Sequence, residues 1–289
     1  MPLDNFQRKI LRTILPNRSP QSHFAGGSVL QRHGFRLSDH QDIFHSEDAD
    51  LVAIARMDAA ALVAEGLSVE LRHPYAGFVE ASVFGEAAGT TRLQWVAAGT
   101  WNFFQPVPDA EFGWRLHMAD LAVNKALAAG GRKEVRDYAD LALIHRHVMP
   151  LWHVLWAAPG KDESWSPASL LEKVARTNGF RQADLEGGVV SIIPLNAAEI
   201  GGIVRDALEE AREAHELLPA TLAGRMFVDE RGEPVNDLKR ITSGHGVASI
   251  DAARGGAWPS GLDIDHAMIE RVIAAYGGGA ATPPSPGSD

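Results

Sequence analysis

The sequence predicts an α+β fold: a mixed sheet with helices packed on it, followed by a mainly helical half. Three observations carry this. Apolar residues alternate between Gly-bearing turns over 67–97, which reads as a meander of strands. Apolar residues at helical spacing come before that stretch, over 4–15 and 47–65. From residue 116 the helical period returns and dominates the remaining chain.

The elements follow in order. Phe6, Ile10, Leu11 and Ile14 share one face of a helix over 4–15. A Gly-Gly-Ser turn leads into a short helix, Val29 to Arg32, and 41–45 reads as a strand. An acidic first turn and apolar spacing predict a helix over 47–65. Strands are expected at 67–72, 77–84 and 91–97. Two helices follow over 116–147, broken at Gly130-Gly131. Residues 156–167 read as a loop at a domain boundary. Helices are expected at 167–179, 181–186, 196–218 and 264–276, with a small hairpin or strand–turn at 224–235. The domain division is 1–150, then a helical domain over 151–275. The Pro/Gly/Ser-rich 276–289 reads as a disordered tail.

Composition narrows the function. The 289 residues are 45% hydrophobic and 22% charged, an ordinary globular balance. Without cysteine there is no disulfide, thiolate metal site or cysteine nucleophile, which suits a reducing cytoplasm. Apolar runs fall far short of a membrane span, and the N-terminus lacks a secretory pattern. A net charge of −10 argues against non-specific duplex binding. Two stretches could still form a local basic surface: Arg8, Lys9, Arg12 and Arg18, and Arg132, Lys133, Arg136 and Arg146. Each alone reads more simply as a solvated helix face.

Other signals are weak. His145, His147 and His153 lack the spacing of a metal helix, and no phosphate-loop Lys-Ser/Thr follows the glycines. Trp152, Trp156 and Trp165 read as an interdomain core or, less simply, a base-stacking platform.

Four pieces point to chemistry: Gly26-Gly27-Ser28, the segment 36–44 (RLSDHQDIF), Lys125, and 132–141 (RKEVRDYADL). Small residues let backbone N–H groups approach phosphate. Carboxylates on one strand face can hold Mg²⁺ through oxygen. Along a regular strand His40 and Asp42 share a face and Asp39 points away. Lys125 has Leu121, Ala122, Ala128 and Ala129 as helical neighbours, so it either snorkels or reaches into a polar pocket. Measured from a break at Gly130-Gly131, Asp137 lies level with Lys125, so the two are expected to pair. Singly, each piece has a bland reading as a turn, a strand end or a helix carboxylate; their order and spacing together do not.

That set resembles the AbiEii family of nucleotidyltransferase toxins from type IV toxin–antitoxin systems. The resemblance rests on Gly26, Gly27, Ser28, Arg36, Ser38, Asp42, Ile43, Phe44, Lys125, Arg132, Asp137 and Asp140, and spans roughly residues 20–147. It implies a nucleotidyltransferase-like sheet and transfer of a nucleoside monophosphate from a nucleoside triphosphate to an acceptor such as a tRNA 3′ end. It implies that Gly26, Gly27, Ser28, Arg36, Ser38 and Lys125 bind the triphosphate. Asp42 and His40 would bind Mg²⁺ or Mn²⁺, weakly, and Asp137 would orient Lys125 or assist the acceptor hydroxyl. A winged-helix antitoxin is the implied partner. Two positions depart from the family pattern: His40 and Gln94 stand where carboxylates are expected. They favour the alternative of a non-catalytic nucleotide-, RNA- or partner-binding protein that kept the fold.

Overall fold

The computed structural model describes residues 3–256, apart from 76, 86–88 and 98–100. The expected helix over 264–276 and the tail after it lie outside the described residues.

Asp4 caps the first helix, α1 (Asn5–Ile14), through a reciprocal pair of hydrogen bonds with Gln7. A strand absent from the sequence reading follows, β1 (Ser22–Ala25). Its residues are all buried and do not alternate, so periodicity could not mark it. Gly26, at φ +71°, turns the chain straight into α2 (Gly26–Leu30), three residues earlier than the expected start at Val29. Next come β2 (His40–His45), α3 (Leu51–Ala64), β3 (Ser68–Tyr75), β4 (Phe78–Gly85) and β5 (Gly89–Ala97), close to expectation. Short strands β6 (Trp101–Asn102), β7 (Val107–Asp109) and β8 (Gly113–Arg115) precede helices α4 (Met118–Gly131) and α5 (Val135–His147). Residues 156–167 are not all loop. Helix α6 (Leu151–Ala157) and one further helical turn reach Gly160, because Leu151, Trp152, Val154, Leu155 and Trp156 are all buried. The chain continues through α7 (Pro167–Thr177), α8 (Gln182–Gly188), α9 (Ala197–Leu217), β9 (Met226–Val228), α10 (Leu238–Ser243), β10 (Ala248–Ile250) and β11 (Ala253–Arg254).

The main sheet has seven strands in the order β3-β4-β5-β2-β1-β8-β7. It is mixed: β2 runs parallel to β5 and β1 to β8, while the other pairs are antiparallel. The β2-to-β5 return therefore carries α3 as its crossover. One face, with Ile43, Val79, Ala81, Leu93 and Trp95, packs in a core with Leu11 and Ile14 of α1 and Ala55 and Leu62 of α3. By alternation Asp42, Glu80 and Gln94 face the other way, where Asp42 and Gln94 line a cleft beside α4.

A second core joins α4 and α5 to α6–α9, β9 and β10, with Trp152 and Trp156 inside it and Trp165 against it. No helix of the described residues is long and apolar enough to cross a membrane.

One ion pair ties α3 to the sheet. Arg18 donates to both oxygens of Asp58 at 2.7 and 2.6 Å, and both side chains are fully buried. Asn17 and the Trp95 indole also donate to Asp58, at 2.7 and 2.8 Å. Asp58→Ala should leave the buried Arg18 and Trp95 donors without this acceptor, at a cost of about 3–5 kcal/mol. Urea denaturation checks this, and a loss below about 1 kcal/mol would make the network dispensable.

Several histidines are buried neutral. Burial lowers His23, His117 and His153 to about 4 and His45 to about 3. His153 uses both nitrogens, toward Asn236 and the Phe227 N–H, which accounts for it without metal. An unfolded histidine titrates near about 6.5. Unfolding therefore takes up protons as the pH falls through that value. Stability should drop from about pH 6.5 down toward pH 4. Urea midpoints at several pH values test this, and a flat profile above about pH 5 would show that these rings are protonated in the fold.

Candidate functional site

A cleft of about 460 Å³ opens between the exposed face of β2 and β5 and helix α4. Three rows of side chains, set by strand register, form its floor. His40 lies beside Arg92, Asp42 beside Gln94, and Phe44 beside Val96. Antiparallel β4 extends all three rows, placing Ser82 beside Arg92, Glu80 beside Gln94 and Phe78 beside Val96. The floor thus grades from ionic, through polar, to an apolar shelf of Phe44, Val96 and Phe78.

Gly26 and Gly27 form one wall. A Cβ on Gly26 would lie 1.7 Å from Asp42 Oδ2, so the carboxylate sits where a side chain would be. A Cβ on Gly27 would lie 2.6 Å from Arg36 Nη2. Only glycines let backbone, carboxylate and guanidinium come this close. Ser38 lines the cleft and donates to the His40 carbonyl at 2.9 Å.

Beneath the opposite wall lies a buried charge cluster. Asp140 accepts from Arg36 Nε and Nη2, both at 3.0 Å, and from Gln31 at 2.6 Å. Lys125 Nζ is 2.7 Å from its other oxygen, Oδ2. Burial alone would raise the Asp140 pKa, but Lys125 and Arg36 outweigh it and hold the carboxyl below its ordinary range. One anion thus meets two cations, and both cations line the cleft. Arg92, Arg132 and Arg136 line it too, whereas Asp42 is the one carboxylate lining it among the described residues. Arg136 Nε is buried without a hydrogen-bond partner, 4.0 Å from Glu134.

No family model and no curated protein matches this chain. Among solved structures it is similar to the nucleotidyltransferase toxin MenT4 of Mycobacterium tuberculosis H37Rv. The TM-score is 0.54 at 13% identity, over 72% of this chain and 82% of that one. The two chains share a fold. JHP933 of Helicobacter pylori also superposes, at TM-score 0.45 and 15% identity, over 72% of this chain and 94% of that one.

In this sheet, Gly26, Gly27, Arg36, Ser38, His40, Asp42 and Lys125 come together around one cleft. Ser28 does not line it; the residue is 1% exposed and its Oγ has no hydrogen-bond partner. Asp137 is displaced from its expected role. It pairs with Arg132 at 2.9 and 3.1 Å, and Asp140 takes Lys125 instead. The cause is the position of the turn: α4 runs through Gly131 and α5 starts at Val135. Moving the turn from Gly130-Gly131 to about Arg132-Lys133 shifts the residue level with Lys125 from Asp137 to Asp140.

Of the two basic stretches, residues 132–147 bring Arg132 and Arg136 to the cleft. In the other, Arg18 is buried on Asp58 and Arg8 pairs with Glu111. Sequence reasoning missed Arg92. Its spacing of two from Gln94 puts it on the same strand face, but nothing local shows that β5 lies beside β2.

The donors do not fit a resident Mg²⁺, which takes near-octahedral oxygen ligands. Among the described residues no three His, Asp or Glu side chains are grouped to hold a metal. His40 turns Nδ1 to Asp39 at 2.7 Å and Nε2 to Asp42 at 3.5 Å, so both ring nitrogens face carboxylates. Burial lowers the His40 pKa, yet Asp42 and Asp39 outweigh it and the net shift is upward. Burial raises Asp39, but His40 and Arg92 bring it down to about 2.

Asp140→Asn should leave Lys125 and Arg36 together without a counter-charge, costing about 3–5 kcal/mol. Asp137→Asn should cost about 1–2 kcal/mol, because Arg132 is half exposed and water solvates it. Urea denaturation of both variants ranks them, and equal losses would overturn the assignment of Asp140 as the hub.

Proposed function

We propose that the cleft binds a nucleoside triphosphate and that the chain is a slow nucleotidyltransferase of the toxin type. The observation that carries this is that five cations, Arg36, Arg92, Lys125, Arg132 and Arg136, line one cleft with a single carboxylate, while the carboxylates they pair with lie outside its lining. Cations that face one cavity from several sides attract a polyanion that can compete with their carboxylate partners. The glycine wall lets phosphate approach the backbone. The shelf of Phe44, Val96 and Phe78 offers a face on which a base can stack, beside the row that holds Asp42.

The reaction is attack of an acceptor hydroxyl on the α-phosphorus: the new P–O bond forms and the bond to pyrophosphate breaks. Lys125 and the arginines hold the triphosphate, and Asp42 is placed to take the hydroxyl proton. The acceptor is a nucleic-acid end such as a tRNA 3′ end. The likeness to the toxin MenT4 supports an antitoxin as partner, of winged-helix type in the AbiEii arrangement, and a chain without cysteine suits a reducing cytoplasm. The rate is low because a single carboxylate does the work that several usually share. His40, Arg92 and Gln94 also favour a second reading, a nucleotide- or RNA-binding protein without transfer.

The test incubates the protein with each labelled triphosphate and a tRNA pool, in Mg²⁺ and separately in Mn²⁺. The native chain should label tRNA slowly. His40→Asp with Gln94→Asp should bind metal more tightly and label faster, since both positions adjoin Asp42 on the cleft floor. Fast labelling by the native chain would overturn the slow-enzyme reading. Nucleotide binding by both proteins with no labelling by either would favour the non-catalytic reading.

A further inference from the structure

Each carboxylate around the cleft floor is held by a nitrogen, and the contacts run in one chain. Asp42 faces His40 Nε2 at 3.5 Å, and His40 Nδ1 faces Asp39 at 2.7 Å. The other oxygen of Asp39 accepts from Arg92 Nη2, and Arg92 Nη1 lies 3.6 Å from Glu80. Glu80 in turn accepts from Gln94 at 2.7 Å, and Gln94 returns the chain to the strand position beside Asp42. Carboxylate alternates with imidazole, guanidinium and amide across three strands. A divalent cation would have to displace these donors one by one.

The same arrangement puts cations on the cleft surface, with their carboxylate partners set behind the lining. Arg92 is a permanent charge, 39% exposed and lining the cleft. Arg136 keeps a buried Nε without a hydrogen-bond partner, its nearest carboxylate being Glu134 at 4.0 Å. Arg36, 6% exposed, reaches the glycine wall.

We infer that the cleft takes its nucleoside triphosphate free of metal, with Arg92, Lys125, Arg132 and Arg136 supplying the charge that a divalent ion supplies at an open carboxylate site. This rests on the nucleotide reading above and adds the form of the ligand. Complexing a triphosphate with Mg²⁺ removes two of its negative charges, so a cleft that offers cations and no free carboxylate pair prefers the uncomplexed anion. Arg92 has two tasks in this arrangement: it occupies the carboxylates that would hold a metal, and it faces the phosphates.

Equilibrium dialysis with ATP, GTP, CTP and UTP tests this on the full chain, at constant ionic strength, in EDTA and in excess Mg²⁺. Binding should be at least as tight in EDTA, and Mg²⁺ should weaken it several-fold. Arg92→Gln should lose at least about tenfold in EDTA, the effect of one charge-assisted contact. Arg72→Gln removes an exposed arginine of β3 that pairs with Glu70 and does not line the cleft. It should bind as the native chain does, which controls for net charge. Matching circular dichroism and melting curves would establish that Arg92→Gln is folded. Binding that requires Mg²⁺ would overturn this inference and leave the nucleotide reading standing. Unchanged binding by folded Arg92→Gln would overturn the role of Arg92. No binding of any triphosphate in either condition would overturn both readings.

Discussion

Asp140, on the second helix of the α4–α5 hairpin, has no exposure to water and accepts hydrogen bonds from Arg36, Gln31 and Lys125. Those partners come from three parts of the chain: the segment before β2, the turn after α2, and α4. The single carboxylate therefore fixes the α4–α5 hairpin against the sheet at the height of the glycine wall. A lone buried cation is costly, and two beside each other cost more. The cleft wall can carry Lys125 and Arg36 together only because Asp140 lies between them. What the anion does not neutralise faces the cleft, so one interaction sets both the packing of the hairpin and the electrostatics of the site.

The floor of the cleft depends on a different constraint, the parallel pairing of β2 with β5. It sets Asp42 beside Gln94 and His40 beside Arg92, and antiparallel β4 adds Glu80. These rows hold the positions at which the sequence resemblance implies carboxylates. Here nitrogen side chains alternate with them. The apolar face of the same strands packs on α1 and α3, with Asp58 and Arg18 buried within that layer. The sheet is thus held rigidly from behind while its front carries the polar rows.

Net charge and local charge point in opposite directions. The chain carries −10, but much of its acid lies on exposed helix faces such as that of α9. Charges beyond about 10 Å are largely screened at ordinary salt, so they weigh little on the cleft. The arginines and lysine within the cleft act on a ligand at contact distance and in reduced dielectric. An acidic protein can therefore hold a polyanion, provided its cations converge on one cavity.

The sequence alone determined the fold class, most helices, the meander of β3, β4 and β5, and the residues lining the glycine wall. Those features are local: a hydrophobic period of two or 3.6, a glycine pair, a D-x-D-like strand end. It also placed His40 and Asp42 on one face, because alternation along a strand needs no neighbour. What required the tertiary structure was pairing between segments. Strand β1 is buried on both faces and carries no period. The partner of Lys125 depended on where the α4–α5 turn falls, and two residues of difference exchanged Asp137 for Asp140. Arg92 became a cleft residue only through the adjacency of β5 and β2, a long-range contact that no local pattern encodes. Periodicity is a property of one segment against an unspecified core, whereas an ion pair is a property of two segments in a specified register, and only the folded chain supplies the second.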